Sequence, residues 1–245
     1  MDPLTAAAAS GIRSRMESLD MLANNLANAS TGGFKADHEF YSTYIAADSG
    51  DESESAGDVM PLVQKPWTDF SQGSLEPTGH PLDIALSGPG FFAVNGPSGP
   101  LYTRNGAFRL SNTGVLTTAE GYPVRLKSGG TLTVTAKDPL QIGTDGQVRQ
   151  GAQLLGTLDV VNFSDTGQLS KAGATYFKAG QNAKPTPATG TQVSQGTLEN
   201  SNVVTAESAI RLVTVMRHFE SLQKAISVAT QMNQQSVTEV ARINS

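Results

Sequence analysis

Residues 206–244 read AESAIRLVTVMRHFESLQKAISVATQMNQQSVTEVARIN, without a single Gly or Pro. Leu212, Phe219, Ile226, Asn233 and Val240 recur every seven residues, and Val215, Leu222, Ala229, Ser236 and Ile243 form a companion row. Seven of those ten are aliphatic or aromatic, and an eighth is Ala. A seven-residue repeat held this long predicts a helix that packs on other helices as coiled coils do. At 1.5 Å per residue such a helix is about 55 Å long. One apolar stripe of that length needs partners.

The other end of the chain supplies a shorter one. From Pro3 to Ala29 there is no Gly or Pro after Gly11. Thr5, Ile12, Leu19 and Leu26 are spaced by seven, with Ala9, Met16 and Ala23 between them, which makes a 4-3-4-3 stripe along one helical face. Pro3 suits a first turn and Asp2 a cap before it. Thr31-Gly32-Gly33 ends the helix. This helix covers only part of the long one, so the remaining stripe is expected to face other subunits. The ends of a free single chain are then loose and order on assembly.

Between the helices the pattern changes to short alternating runs, such as Leu82 to Leu86, Thr131 to Thr135 and Thr157 to Val161. Asn105-Gly106, Asn112-Thr113-Gly114, Asp145-Gly146 and Asp165-Thr166-Gly167 supply turns. This predicts a mainly β body of short antiparallel strands. The acidic run Asp48 to Glu54 reads as a linker, and Asn182 to Gly190, with Pro185 and Pro187, as a stiff loop. The expected organisation is a helical assembly segment over 1–35, an extended acidic linker over 36–72, an all-β body over 73–195 and a helical assembly segment over 196–245.

Composition narrows the function. The 245 residues carry 17 Lys+Arg against 22 Asp+Glu, a net charge of −5, and no basic cluster. That argues against binding a phosphate backbone, so nucleic acid is not an expected partner. The absence of Cys excludes disulfides, thiolate metal sites and cysteine nucleophiles. Met1-Asp2-Pro3-Leu4 lacks the basic start and apolar block of a cleaved signal peptide.

Catalytic patterns are missing too. His38, His80 and His218 are far apart and show no metal-ligand spacing. Gly88-Pro89-Gly90 precedes Phe91-Phe92 in a strand context, whereas a phosphate cradle needs a helix N-terminus there. Asp83 near Arg104 is the one carboxylate–arginine pair to consider, and such pairs usually fix turns. No small-molecule substrate, cofactor or metal is expected, and the chain does not read as an enzyme.

Three blocks are specific. The first is Ala23-Asn24-Asn25-Leu26-Ala27-Asn28-Ala29-Ser30-Thr31-Gly32-Gly33-Phe34-Lys35, whose amides can bond across helices and whose Phe34 can anchor the following segment. The second contains Pro81-Leu82-Asp83-Ile84-Ala85, Gly88-Pro89-Gly90-Phe91-Phe92 and Tyr102-Thr103-Arg104-Asn105-Gly106-Ala107-Phe108. The third is Gly196-Thr197-Leu198-Glu199-Asn200-Ser201-Asn202-Val203-Val204, where Ser201 or Asn202 is placed to cap the long helix.

These blocks, in this order, resemble the axial proteins of the bacterial flagellum, the rod and hook family, over nearly the whole chain. Ala29 stands where the family often has Val, and Gly32 where it often has Pro or Asn. The resemblance implies a helical tube in which the terminal helices form a coiled-coil-like inner layer and the β body lies outside. It implies copies of the same chain and neighbouring rod proteins as partners, with the flagellar export apparatus in transit. It also implies a place in the periplasm-spanning rod, reached without a cleaved signal peptide. Within the family, the size leaves room for one β domain and excludes a large hook subunit. The first helix lacks the Gln-Gln pair and Trp usual in distal-rod proteins, so it is more similar to the proximal rod, with the distal rod second.

The expected function is that of a structural rod subunit, polymerising through its ends into a shaft that passes torque to the hook. Assembly is expected to rest on Asn24, Asn25, Leu26, Asn28 and Phe34, on Leu198 and Asn202, and on Leu212, Phe219, Ile226 and Val240. Two rival readings come from other classes. A secreted hydrolase would need convergent titratable groups around Asp83 or His80. An adhesive β module would form closed oligomers and bind a ligand.

Overall fold

The computed structural model describes residues 3–44, 60–134 and 139–243. Asp2 and the acidic run Asp48 to Glu54 lie outside them, as do the side chains of Thr5, Ala9, Ala229, Asn233, Ser236, Val240 and Ile243. The chain is mainly antiparallel β-sheet with a helix at each end. It divides into two compact units, one of residues 1–27, 37–67 and 204–245 and one of residues 28–36 and 68–203.

In the first unit, helix α1 (Pro3–Ala27) packs against helix α2 (Thr205–Ile243). Strands Asp37–Tyr44 and Met60–Thr68 form a two-stranded sheet, so the stretch after Lys35 is paired where the sequence suggested a linker. On α2 the five heptad-row residues with described side chains lie on the covered side: Val215 is buried, and Leu212, Phe219, Leu222 and Ile226 are half-buried.

On α1 the covered face differs from the expected one. Ser14, Ser18, Leu22 and Asn25 are buried, while Met16 is 52% exposed and Ala23 is exposed. Ile12, Leu19 and Leu26 are half-buried. The covered row is the expected stripe displaced by one residue, a rotation of about 100°. At Gly11 an added Cβ would lie 4.0 Å from Leu222 Cδ1, in ordinary contact with α2. Asn25 is held inward by the backbone of Asp37: its Nδ2 donates to Asp37 O at 2.7 Å and its Oδ1 accepts from Asp37 N at 3.0 Å.

The second unit is built on a six-stranded antiparallel sheet. Its order is Leu169–Lys171, Tyr176–Ala179, Gly99–Thr103, Phe91–Gly96, Val160–Asn162 and Thr186–Pro187. A three-stranded sheet (Gln153–Thr157, Gln147–Gln150, Leu140–Ile142) and short pairs complete the unit. Strand side chains alternate between faces, and here both faces are covered. Phe92 and Val94 point into a cluster with Ile84, Leu86, Phe108 and Leu116, whereas Phe91 and Ala93 join Tyr102, Val161, Phe163 and Phe177. The run Phe91 to Val94 is therefore apolar at every position.

Candidate functional site

The three sequence blocks meet in the second unit. The third block supplies strand Thr197–Glu199, which pairs with Leu75–Pro77, Glu199 opposite Leu75 and Leu198 opposite Glu76. Asn200 N donates to Ser74 O at 2.8 Å and extends the pairing by one residue. The first block lies against this ribbon. Gly33 N donates to Glu199 O at 2.7 Å, and Asn202 N reaches Phe34 O at 3.4 Å. Only glycine fits at position 33: its φ is +68°, and a Cβ there would lie 2.3 Å from Asn105 N. At Gly73 a Cβ would fall 2.0 Å from Asn200 O.

Charges are sealed beneath these backbones. Lys35 and Glu199 have fully buried side chains, and Lys35 Nζ donates to Glu199 Oε1 and to Ser71 O, each at 2.6 Å. Glu199 Oε1 also accepts from Gly73 N at 3.0 Å. Arg104, 3% exposed, enters from the second block. Its Nη2 donates to Gly88 O at 2.7 Å and its Nη1 lies 3.5 Å from Glu199 Oε2. Two cations thus share one carboxylate. Burial lowers the Lys35 pKa from 10.5, with Glu199 pulling the other way and Arg104 adding to the fall. Arg104 is lowered for the same first reason.

Asn202 closes the arrangement. Its Oδ1 accepts from Ala36 N at 2.8 Å, and its Nδ2 donates to Asp69 O at 2.9 Å and Ser71 Oγ at 3.1 Å. Asp69 N in turn donates to Ala36 O at 2.8 Å. Lys171 Nζ donates to Lys35 O at 2.8 Å and sits 4.4 Å from the centre of the Phe34 ring. Phe34 itself is completely buried.

The sequence-selected residues fall into two sets. Phe34, Leu198 and Asn202 are brought together here, with Leu198 half-buried. Asn28 stands at the start of the same segment, its carbonyl accepting from Thr31 N at 3.0 Å and its Oδ1 from Thr31 Oγ1 at 3.3 Å. Asn24, Asn25, Leu26, Leu212, Phe219, Ile226 and Val240 belong to the helical unit; Asn24 is exposed.

Two local readings change. Neither Ser201 nor Asn202 caps α2, because the helix begins at Thr205, where Ser208 N donates to Val204 O at 3.0 Å, and both side chains are engaged earlier. Asp83 does not pair with Arg104. Its Oδ2 accepts from Thr78 Oγ1 at 2.6 Å, while Arg104 turns inward to Glu199.

Sequence reasoning passed over Lys35, Arg104 and Glu199 as a group. The available signal was three charges inside glycine-rich apolar blocks, in a chain only 16% charged. A sequence separation of 164 between Lys35 and Glu199 hid the pairing.

The arrangement offers no reacting atom to solvent. Among the described residues no group of His, Asp or Glu could hold a metal ion, and no helix is long and apolar enough to cross a membrane. What these contacts do is tie segments of one chain together.

Comparison with known proteins agrees in order and extent. Residues 7–35 match the flagella basal body rod protein model, residues 85–150 the flagellar hook protein FlgE/F/G D1 domain model, and residues 194–239 the flagellar basal body rod FlgEFG protein C-terminal model. The chain is 33% identical to the flagellar basal-body rod protein FlgF of Caulobacter vibrioides, across 92% of this chain and 93% of that one. It is 32% identical to FlgF of Mesorhizobium japonicum across 83% of each chain. With the rod protein FlgG of Bacillus subtilis it shares 29% identity, across 93% of this chain and 95% of the other. The matched regions contain Lys35, Arg104 and Glu199, the three charges of the buried network, and the chain belongs to the flagellar basal-body rod protein family.

Proposed function

We propose that this structural, non-catalytic rod subunit meets its neighbours through the apolar side chains its two helices leave uncovered. One observation carries the reading. α1 and α2 cover one face each, yet Met16 on α1 stays 52% exposed, and on α2 Ile210 is 69%, Val213 49%, Met216 47% and Met232 63% exposed. Open apolar groups on both helices, at helical spacing over Ile210, Val213 and Met216, suit further helices rather than water.

In this reading the neighbours are copies of the same chain and other rod proteins. The ends form the coiled-coil-like layer, and Leu26, Leu212, Phe219, Ile226 and Val240 lie at its margins. Asn25 serves it indirectly by tying the end of α1 to Asp37, and Phe34, Leu198 and Asn202 by holding the segments that follow α1 and precede α2. The four-part organisation over 1–35, 36–72, 73–195 and 196–245 is retained as a division of labour. The subunit is exported by the flagellar apparatus without a cleaved signal peptide, spans the periplasm within the rod, and passes torque towards the hook. Its place is the proximal rod, which the similarity to the FlgF proteins and the first helix without Gln-Gln or Trp support.

The test is Met216→Asp and Ile210→Asp in the full chain. Both positions are open to solvent, so the purified variants should keep the wild-type circular dichroism and melting curve. Cells carrying them should build no rod and fail to swim. Normal swimming by both variants would overturn the reading.

A further inference from the structure

The chain crosses between its two units four times, after residues 27, 36, 67 and 203. Three of those crossings are bonded to one another at the β-unit side. Asn202 lies one residue before its crossing, Ala36 at its own, and Asp69 two residues after a third. They are linked by Ala36 N to Asn202 Oδ1, Asn202 Nδ2 to Asp69 O and Asp69 N to Ala36 O, at 2.8, 2.9 and 2.8 Å. Immediately inside them the Lys35–Glu199 pair joins the same two segments at 2.6 Å, with both side chains fully buried.

We propose that this set is a force-bearing clamp, which keeps the β unit closed when its connections to the helices are pulled or twisted. The proposal rests on the reading of the chain as an axial subunit under load. Tension entering at residue 28 and leaving at residue 203 runs along segments 28–36 and 197–203. Those two segments are bonded directly to each other at Gly33, Lys35 and Ala36 on one side and at Glu199 and Asn202 on the other. The load therefore shears several bonds together before any strand of the six-stranded sheet is disturbed. Burial strengthens the device. Water cannot replace the Lys35–Glu199 bonds as they stretch, so the barrier carries the full cost of exposing unpaired charge.

Gln195 provides a matched comparison away from this path. Its Nε2 donates to Pro81 O at 2.7 Å and Leu140 O at 2.8 Å, and its Oε1 accepts from Ile142 N at 3.0 Å. A structural role alone predicts that Asn202→Ala and Gln195→Ala behave alike.

The experiment holds the full chain by its two ends at constant force and times the opening of the β unit, with chemical denaturation measured in parallel. Asn202→Ala should shorten the lifetime under force about tenfold, the factor produced by ~1.4 kcal/mol of lost barrier. Gln195→Ala should lose similar equilibrium stability and stay within about twofold of wild type under force, well below that factor. Lys171→Met, which removes the bond to Lys35 O and the contact with Phe34, should shorten the lifetime severalfold. It decides the matter if Asn202→Ala does not fold. Equal lifetimes for Asn202→Ala and Gln195→Ala, or a wild-type lifetime for Lys171→Met, would overturn the clamp. The measurement uses an isolated chain, so it is independent of the swimming test that decides the rod reading.

Discussion

At residue 199 one carboxylate serves two buried cations, and that imbalance makes it sensitive to substitution. Glu199→Gln removes the carboxylate that Lys35 and Arg104 share in a dry interior. Loss of one partner of a buried pair costs about 3–5 kcal/mol, so urea unfolding of the variant should show a loss of that order. Lys35→Met should cost less, because Arg104 and Glu199 then balance one another. Lys35 also makes a signed prediction about pH. An unfolded lysine keeps its proton up to 10.5, while the folded one, its pKa lowered first by burial, releases it earlier. Between those two values the unfolded chain holds more protons, so Lys35 makes stability rise with pH there. Relative to wild type, Lys35→Met should lose that upward slope in a series of denaturation curves approaching 10.5. A parallel pair of curves would contradict the assignment. The motif residues themselves were legible: Gly33, Phe34, Arg104 and Asn202 stand in the quoted blocks. Their bonding was not, because spacing along a chain does not say which distant block supplies the counter-charge.

At the scale of elements the two helices illustrate different kinds of legibility. On α2 the rows were readable from Leu212 to Ile226 because seven-residue spacing keeps those large side chains on one face. On α1 small and hydrogen-bonding groups decide which face is covered, and the largest side chains do not. Ser14 and Ser18 are buried and Asn25 is held by Asp37, so the helix turns its most apolar stripe partly outward. Ser18 is 1% exposed, and enlarging it should separate the packed elements. Ser18→Leu is expected to cost roughly 1–3 kcal/mol, as overpacked interiors do, and to lower the melting point of the helical signal. Met16→Ser should leave that melting point unchanged, since its side chain is half in water already. If Ser18→Leu raised stability instead, the close-packed face would be misassigned.

For the whole molecule, the organisation read from composition separates ends from middle, whereas the folded chain interleaves them. Residues 28–36 and 196–203 belong to the β unit, and the segment expected as a linker carries a strand pair of the helical unit. Composition could not reveal this, because Gly33 and Lys35 gain their meaning from residues far along the chain. Contacts that repeat head to tail and do not close produce open growth. Concentrating the purified chain should therefore give a rising distribution of sizes in sedimentation, and a single closed oligomer would contradict it.

One of the two edge strands of the large sheet, Thr186–Pro187, is preceded by Pro185. Proline has no amide hydrogen to offer a new neighbour, and edges of this kind resist strand addition. Many copies crowded along a narrow shaft bring such borders close together, which is the circumstance in which amyloid-like stacking begins. On this side the rim is blunted against it.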